Sequence, residues 1–177
     1  MGLSVFYDRS KSTMLLLYKN YVRSKLEYCC PLWNSRTIGD IQLIESVQRT
    51  FTHRISGMER LNYWERLKKL SLSSLQRRRE RFIIFYVWKI IQGKYTNDLG
   101  FQFSFSERRG LSIQIRPLSR NANCKAQTLY DSSFAVLAAN LWNMLPTNVS
   151  LMSCFHSFKT GVDSSLSCFP DRPPIQG

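Results

Sequence analysis

Histidine, clustered glycine and paired acidic residues are scarce in this chain of 177 residues, and each scarcity excludes a kind of chemistry. The two histidines, His53 and His156, lie far apart, which predicts surface or partly buried helical positions rather than a base or a metal ligand. The 8 glycines form no phosphate-binding loop. No two aspartates are adjacent, whereas nucleotidyl transfer needs closely grouped carboxylates to hold metal ions. We expect no catalytic residue, no metal site and no cofactor.

Long apolar runs and spaced cysteine pairs are also missing. The longest apolar run, residues 82–88, is far shorter than the roughly 18 residues that a membrane span requires. The five cysteines form no Cys-x-x-Cys pair and follow no signal peptide: Cys29, Cys30, Cys124, Cys154 and Cys168. This pattern predicts free thiols in a reducing, intracellular compartment, with nucleus and cytoplasm both open, and no membrane partner.

Acidic residues are few, since 12 Asp and Glu stand against 25 Lys and Arg, for a net charge of +13. Such an excess favours a polyanion such as nucleic acid as the partner. Nine clustered cations are candidate nucleic-acid-binding residues: Arg66, Lys68, Lys69, Arg77, Arg78, Arg79, Arg81, Arg108 and Arg109. For the run at 77–81, the alternative is a solvated helix face held by ion pairs. Trp88 shares a stripe with Arg77 and Arg81, and is either a stacking surface for a base or part of the core.

Apolar spacing predicts a mainly α-helical fold of five or six amphipathic helices. They are expected at about 10–26, 38–55, 62–70, 73–92, 132–145 and 153–166. Ser10 or Ser12 is positioned to cap the first helix, and Asn62 with Glu65 has the form of a capping box. In the helix at 73–92, residues 82–91 are apolar almost all the way round, which predicts the most buried helix of the protein.

Helical periodicity also predicts which side chains face inward. Tyr21 belongs to the apolar half of the first helix. In the second helix Leu43 and Val47 belong to the apolar arc, whereas Glu45 and His53 lie on the opposite, solvent-facing side.

Composition divides the chain into three regions. Residues 11–93 form a helical region, 94–131 a loosely structured, basic and variable linker, and 132–177 a C-terminal helical hairpin with an extended Pro-rich tail. Within the linker, residues 111–115 alternate between apolar and polar and predict either an edge strand or a loop.

A series of short blocks, in order along the chain, resembles the region that follows the polymerase palm in the polyproteins of LINE-type, jockey-like non-LTR retrotransposons. The blocks are TMLLLYK at 13–19, LEYCCPLW at 26–33, IGDI at 38–41, ESVQR at 45–49, LNYWERL at 61–67, SLQRRRER at 74–81, RRG at 108–110, SFAV at 133–136, LWNMLP at 141–146, SFK at 157–159 and PD at 170–171.

The resemblance implies that the parent protein is an RNA-directed DNA polymerase, that is, a reverse transcriptase, whose catalytic palm and endonuclease lie upstream of this segment. It implies that residues 11–93 are a thumb-like helical region that contacts the backbones of template and primer. The implied partners are nucleic acid and an upstream polymerase core, and the chain by itself is expected to be no enzyme.

Three other hypotheses remain open. The chain is alternatively a helical interaction module that docks on a missing polymerase core, or a decayed relic without activity, and exposed apolar surface would favour docking. An independent helix-turn-helix regulator needs a recognition helix with polar base-reading residues at its start, which the helix at 62–70 offers only loosely.

Overall fold

The computed structural model describes residues 8–30, 37–97, 102–106, 112–116 and 134–171. As predicted, the fold is mainly helical. The helices are α1 (Lys11–Leu17), which continues through a π-helical stretch (Tyr18–Arg23) into α2 (Ser24–Glu27), then α3 (Ile38–His53), α4 (Tyr63–Leu70), α5 (Leu75–Ile91), α6 (Phe134–Asn143), α7 (Thr147–Ser150) and α8 (Phe155–Ser167). Two strands, β1 (Gln102–Ser106) and β2 (Ser112–Arg116), form an antiparallel pair. The Pro-rich tail beyond Asp171 lies outside the described residues.

The first helix begins where the sequence predicts, with the Ser10 side chain accepting a hydrogen bond from the backbone N–H of Thr13. Its buried face differs from the prediction after the first two turns. Met14 and Tyr18 are buried, but Tyr21 is 67% exposed. The reason is the π-helical stretch, because an i→i+5 hydrogen-bond pattern widens each turn and rotates the following residues out of the 3.6-residue phase.

The buried face of α3 differs from the one that helical periodicity predicts. Glu45 and Gln48 are completely buried, whereas Leu43 is 68% exposed and Val47 is 39% exposed. Burial of a carboxylate is tolerated because Tyr63 donates a hydrogen bond to Glu45 Oε2 at 2.6 Å and the backbone N–H of Gln76 donates to Oε1 at 2.8 Å. The prediction that Glu45 faces solvent is therefore wrong.

The capping box at the start of α4 is confirmed. The backbone N–H of Glu65 donates to the Asn62 side chain at 3.0 Å, and the Glu65 carboxylate accepts from the backbone N–H of Asn62 at 2.9 Å. The two residues thus satisfy N–H groups that a helix start leaves without partners.

Replacing Asn62 with alanine is expected to lower the free energy of unfolding by about 1 kcal/mol, because the N–H of Glu65 loses its acceptor. Asn62→Ser keeps a capping oxygen and is expected to lower the free energy of unfolding much less. Urea denaturation followed by circular dichroism compares the two variants, and equal losses would contradict the role of Asn62 as a cap.

The chain packs as two compact units, and the boundary falls inside α5. The described residues up to Arg79 form the first unit together with Asp171, and the described residues among 80–170 form the second. This division differs from the three regions predicted from composition. The first unit has an apolar cluster made of side chains from α1, the π-helical stretch, α3 and the segment that follows them: Met14, Tyr18, Phe51, Ile55, Met58 and Leu70.

The second unit holds the larger apolar cluster, built from the second half of α5, Ile115 of β2, and α6 to α8. Trp88 is 1% exposed and its indole N–H donates to the carbonyl of Met152 at 2.8 Å, so Trp88 belongs to the core and is not a stacking surface for a base. This agrees with the prediction that the second half of α5 is deeply buried.

The strand pair lies in the segment that was predicted to be loosely structured. Strand β2 confirms the strand alternative for the alternating residues, and β1 was not predicted. The Asn143 side chain forms two hydrogen bonds with Ile115, accepting from its backbone N–H and donating to its carbonyl, both at 3.0 Å. One side chain of α6 thus occupies backbone groups that an edge strand would otherwise expose.

Candidate nucleic-acid interface

The predicted arginine run on α5 is largely paired with carboxylates. Arg78 forms two hydrogen bonds with the carboxylate of Glu27, and its Nη2 lies 3.0 Å from Oε2. In the second unit Arg81 pairs in the same way with Asp163, with Nη2 at 2.8 Å from Oδ2. Bidentate pairs of this kind fix the guanidinium plane and neutralise much of its charge. These two arginines therefore match the ion-pair alternative more closely than a free phosphate-binding face.

The two remaining arginines of the run, Arg77 and Arg79, also lie against other residues of the first unit. Arg79 is 2% exposed, and Arg77 Nε lies 3.9 Å from Asp171 Oδ1. The same Asp171 carboxylate accepts from the backbone N–H of Ser74 at 2.8 Å and from its hydroxyl at 2.6 Å. Asp171 therefore places a negative charge at the start of α5, which compensates the unfavourable arginines of the first helical turns.

The predicted cluster on α4 is divided by the helix geometry. Arg66 is 5% exposed, and its guanidinium donates to the Leu61 carbonyl at 2.6 Å and to the Thr52 hydroxyl at 3.3 Å. Lys68 and Lys69 are exposed. Lys68 and Lys69 are thus available at the surface, whereas the Arg66 side chain is buried. The third predicted pair, Arg108 and Arg109, lies outside the described residues.

A cleft of about 550 Å³ lies between the C-terminal half of α3 and the start of α4. Its lining residues are Arg49, Thr50, His53, Arg54, Asn62, Tyr63 and Arg66. Three are arginines, one is a histidine, and none of these described residues is acidic. The cleft therefore concentrates positive charge together with neutral hydrogen-bonding groups, as an anion-binding site requires.

Tyr63 forms an aromatic wall of the cleft between two guanidinium groups. The Cζ atom of Arg49 lies 5.7 Å from the centre of the Tyr63 ring, and that of Arg66 lies 5.9 Å from it. Cations at this distance are attracted by the electrons of the ring face. Burial lowers the pKa of Arg66, and the nearby charge of Arg49 acts in the same direction. The cleft therefore holds like charges close together, and a bound anion would relieve their repulsion.

A buried polar network fixes Tyr63 from behind. Its hydroxyl donates to Glu45 and accepts a hydrogen bond from Gln48 Nε2 at 3.0 Å. Gln48 in turn accepts from the Tyr18 hydroxyl and donates to the Ser73 carbonyl at 3.1 Å. Burial raises the pKa of the Tyr63 hydroxyl, and the charge of Glu45 raises it further, so this group stays protonated. The wall of the cleft is therefore anchored by side chains from α3 and from the π-helical stretch.

The sequence did not single out Arg49, His53 or Arg54 as site residues. Thr50, His53 and Arg54 are exposed, and His53 and Arg54 follow Thr50 by three and four residues, so the three side chains lie on the same side at the C-terminal end of α3. The sequence shows this spacing, but the same spacing occurs on any solvent-exposed helix face. Only the position of α4 next to α3 makes these residues part of a cleft. Both histidines are exposed on helices, as predicted, and only His53 lines this cleft.

The cysteines offer no comparable arrangement among the described residues. Cys29, Cys30, Cys154 and Cys168 are free thiols, and Cys124 lies outside the described residues. Burial raises the pKa of the Cys30 thiol to about 11, so this group remains a neutral thiol near neutral pH.

No protein-family model matches this chain, and neither a curated protein nor a solved structure does. Across the described part of the chain, every helix is too short or too polar to cross a membrane. The fold and the cleft thus define a mainly helical protein with a basic, partly aromatic cleft in its first unit.

Proposed function

We propose that this chain binds the phosphate backbone of nucleic acid through the basic surface of its first unit, without catalysing a reaction. The observation that carries the proposal is the cleft between α3 and α4, whose described lining residues include three arginines and a histidine and none that is acidic. Arg54 and His53 are exposed there, and the exposed Lys68 and Lys69 add two cations on α4. Contacts of this type are made with phosphates and depend little on base sequence.

We further propose that the chain originates from the C-terminal, thumb-like region of a non-LTR retrotransposon reverse transcriptase. The ordered sequence blocks support this origin, and a helical first unit with a basic cleft is compatible with the contacts to template and primer that such a segment would make. The cation set differs from the one that the sequence suggested, because Arg49, His53 and Arg54 join it. Arg78 and Arg81 contribute less, since carboxylates neutralise them.

A second candidate function is docking on another protein, such as the core of the polymerase. The exposed face of α3 favours it, because Leu43 is 68% exposed and Val47, four residues later on the same face, is 39% exposed. Neighbouring exposed apolar side chains of this kind are characteristic of an interaction surface.

The deciding experiment is fluorescence anisotropy of a labelled primer–template duplex over a salt series. A variant with Arg54, Lys68 and Lys69 replaced by alanine is expected to bind more weakly and to lower the salt slope by about three, roughly 0.9 for each lost phosphate contact. The matched control replaces three exposed lysines that belong neither to the cleft lining nor to α4, Lys19, Lys25 and Lys159, and removes the same charge.

The control separates a localised interface from a general effect of net charge. We expect the control to change the slope by less than one unit. Equal losses in both variants would show that no specific basic surface exists. If a folded wild-type chain binds no duplex at low salt but self-associates in analytical ultracentrifugation, and Leu43→Lys abolishes that association, the docking function replaces nucleic-acid binding.

A further inference from the structure

We propose that the cleft between α3 and α4 is a receptor for a terminal phosphate of a nucleic-acid strand, a phosphomonoester rather than an internal phosphodiester. This inference rests on the proposed function and names the chemical group that the cleft recognises. The observations that carry it are the volume of the cleft, the composition of its lining and the placement of its exposed donors.

The volume of the cleft favours a group at the end of a chain. Residues of α3 form one wall and residues 62, 63 and 66 at the start of α4 form the other. A volume of about 550 Å³ is that of a small-molecule site and accommodates a phosphate with its attached nucleoside. An internal phosphate enters such a cleft only with sugars on both sides, whereas a terminal phosphate enters with one.

The charge of the lining favours a dianion. A phosphomonoester carries between about −1.5 and −2 at neutral pH and has three terminal oxygens, whereas a phosphodiester carries one charge on two oxygens. Three guanidinium groups lie in the lining, and Arg49 and Arg66 are close enough to contact the same tyrosine ring. The attraction to this cluster grows with the charge of the ligand, so the second negative charge adds to the affinity.

The exposed donors also suit a group with three oxygens. Thr50 and His53 lie in the last turn of α3 and Arg54 follows as its C-cap; all three are exposed, and they offer a hydroxyl, an imidazole and a guanidinium fork. Arg66 contributes a fixed positive charge, since its guanidinium already donates hydrogen bonds to the Leu61 carbonyl and the Thr52 hydroxyl. Arg54 is thus the residue expected to make the direct, bidentate contact.

The test compares labelled oligonucleotides of one sequence that end in a 5′-phosphate, a 3′-phosphate or hydroxyls at both ends. The wild-type chain is expected to bind one phosphorylated form about tenfold more tightly than the hydroxyl form at low salt, the gain of one charge-assisted contact. The two phosphorylated oligonucleotides distinguish which strand end supplies the group.

Two substitutions at exposed positions test the residues. Arg54→Ala is expected to abolish the preference for the phosphorylated form. Thr50→Val removes one hydroxyl at nearly constant volume and charge, and is expected to reduce the preference while leaving the salt slope unchanged. Lys159→Ala, which lies outside the cleft, is expected to keep both the preference and the affinity. Circular dichroism verifies that each variant is folded.

The outcomes separate this inference from the proposed function. If all three oligonucleotides bind equally and with a clear salt slope, the inference is wrong and the nucleic-acid-binding function stands. If the preference exists but survives Arg54→Ala, another surface recognises the phosphate and the inference is also wrong. If none of the oligonucleotides binds at low salt, both proposals fail together.

Discussion

Phe158→Ala is expected to remove about 3 to 5 kcal/mol from the free energy of unfolding of the second unit. Phe158 is completely buried at the centre of the apolar cluster. Its ring stacks against two indoles, at 5.4 Å from the ring centre of Trp88 and 5.8 Å from that of Trp142. Truncation loses the transfer free energy of the ring and leaves a cavity between two rigid side chains that cannot close easily.

The matched control for this prediction is Phe155→Ala in the first turn of the same helix. Phe155 also contacts Trp88, at 5.2 Å between ring centres, but it is 37% exposed, so less apolar surface is lost and no closed cavity forms. Urea denaturation monitored by tryptophan fluorescence gives the two losses, and hydrogen exchange in α6 and α8 assigns them to the second unit. A loss for Phe158→Ala no larger than the loss for Phe155→Ala would falsify this account of the core.

Glu45→Ala is expected to lower the free energy of unfolding by about 3 kcal/mol, because it leaves two buried donors without an acceptor. These donors are the Tyr63 hydroxyl and the backbone N–H of Gln76. The loss also frees Tyr63, which forms a wall of the cleft, so the proposed affinity for nucleic acid should fall together with stability. A double variant with Tyr63→Phe is expected to lose less than the sum of the two single variants, since both remove the same hydrogen bond.

The pH dependence of stability tests the role of the buried Glu45 carboxyl group independently. Burial raises the pKa of this carboxyl above its ordinary value, although the hydrogen bonds from Tyr63 and Gln76 oppose the shift. The folded chain therefore holds a proton at pH values where the unfolded chain has released it. Stability due to Glu45 is then greatest below the ordinary carboxyl pKa, decreases as the pH rises towards the raised pKa, and is constant above that value.

Glu45→Gln cannot titrate, so the difference in stability between the wild-type chain and this variant isolates the contribution of Glu45. We expect this difference to decrease with rising pH within that window and to be flat above it. A difference that increases with pH would mean that the hydrogen bonds to the ionised carboxylate outweigh its burial. Urea denaturation at a series of pH values measures the difference directly.

Helix starts and ends were predictable because they depend on neighbouring residues. Ser10 and Asn62 cap helices that begin where the sequence indicated, and Gly93 adopts a positive φ of 65° just beyond the end of α5. Strand β1 was missed although Phe103 and Phe105 alternate with serines in it, because five residues of alternation between polar neighbours are a weak signal.

The buried side of α3 was not predictable from periodicity. Leu43 and Val47 have the spacing of a core face, and Glu45 has the chemistry of a surface residue. The structure reverses their positions because Tyr63 and the backbone of Gln76, 18 and 31 residues away along the chain, supply the hydrogen bonds that make burial of the carboxylate acceptable. Such partners are invisible to any local pattern.

The sequence by itself determined the mainly helical fold, the capping residues and the excess of positive charge, since each depends on composition or on residues within a few positions of one another. Only the tertiary structure decided which cations are neutralised and which remain open to a ligand. Arg78 and Arg81 meet carboxylates that lie 51 and 82 residues away, whereas Arg54 lines a cleft in which no acidic side chain occurs among the described lining residues. The physical reason is that the interaction between charges depends on distance in space and on burial, and the chain sets both only when it folds.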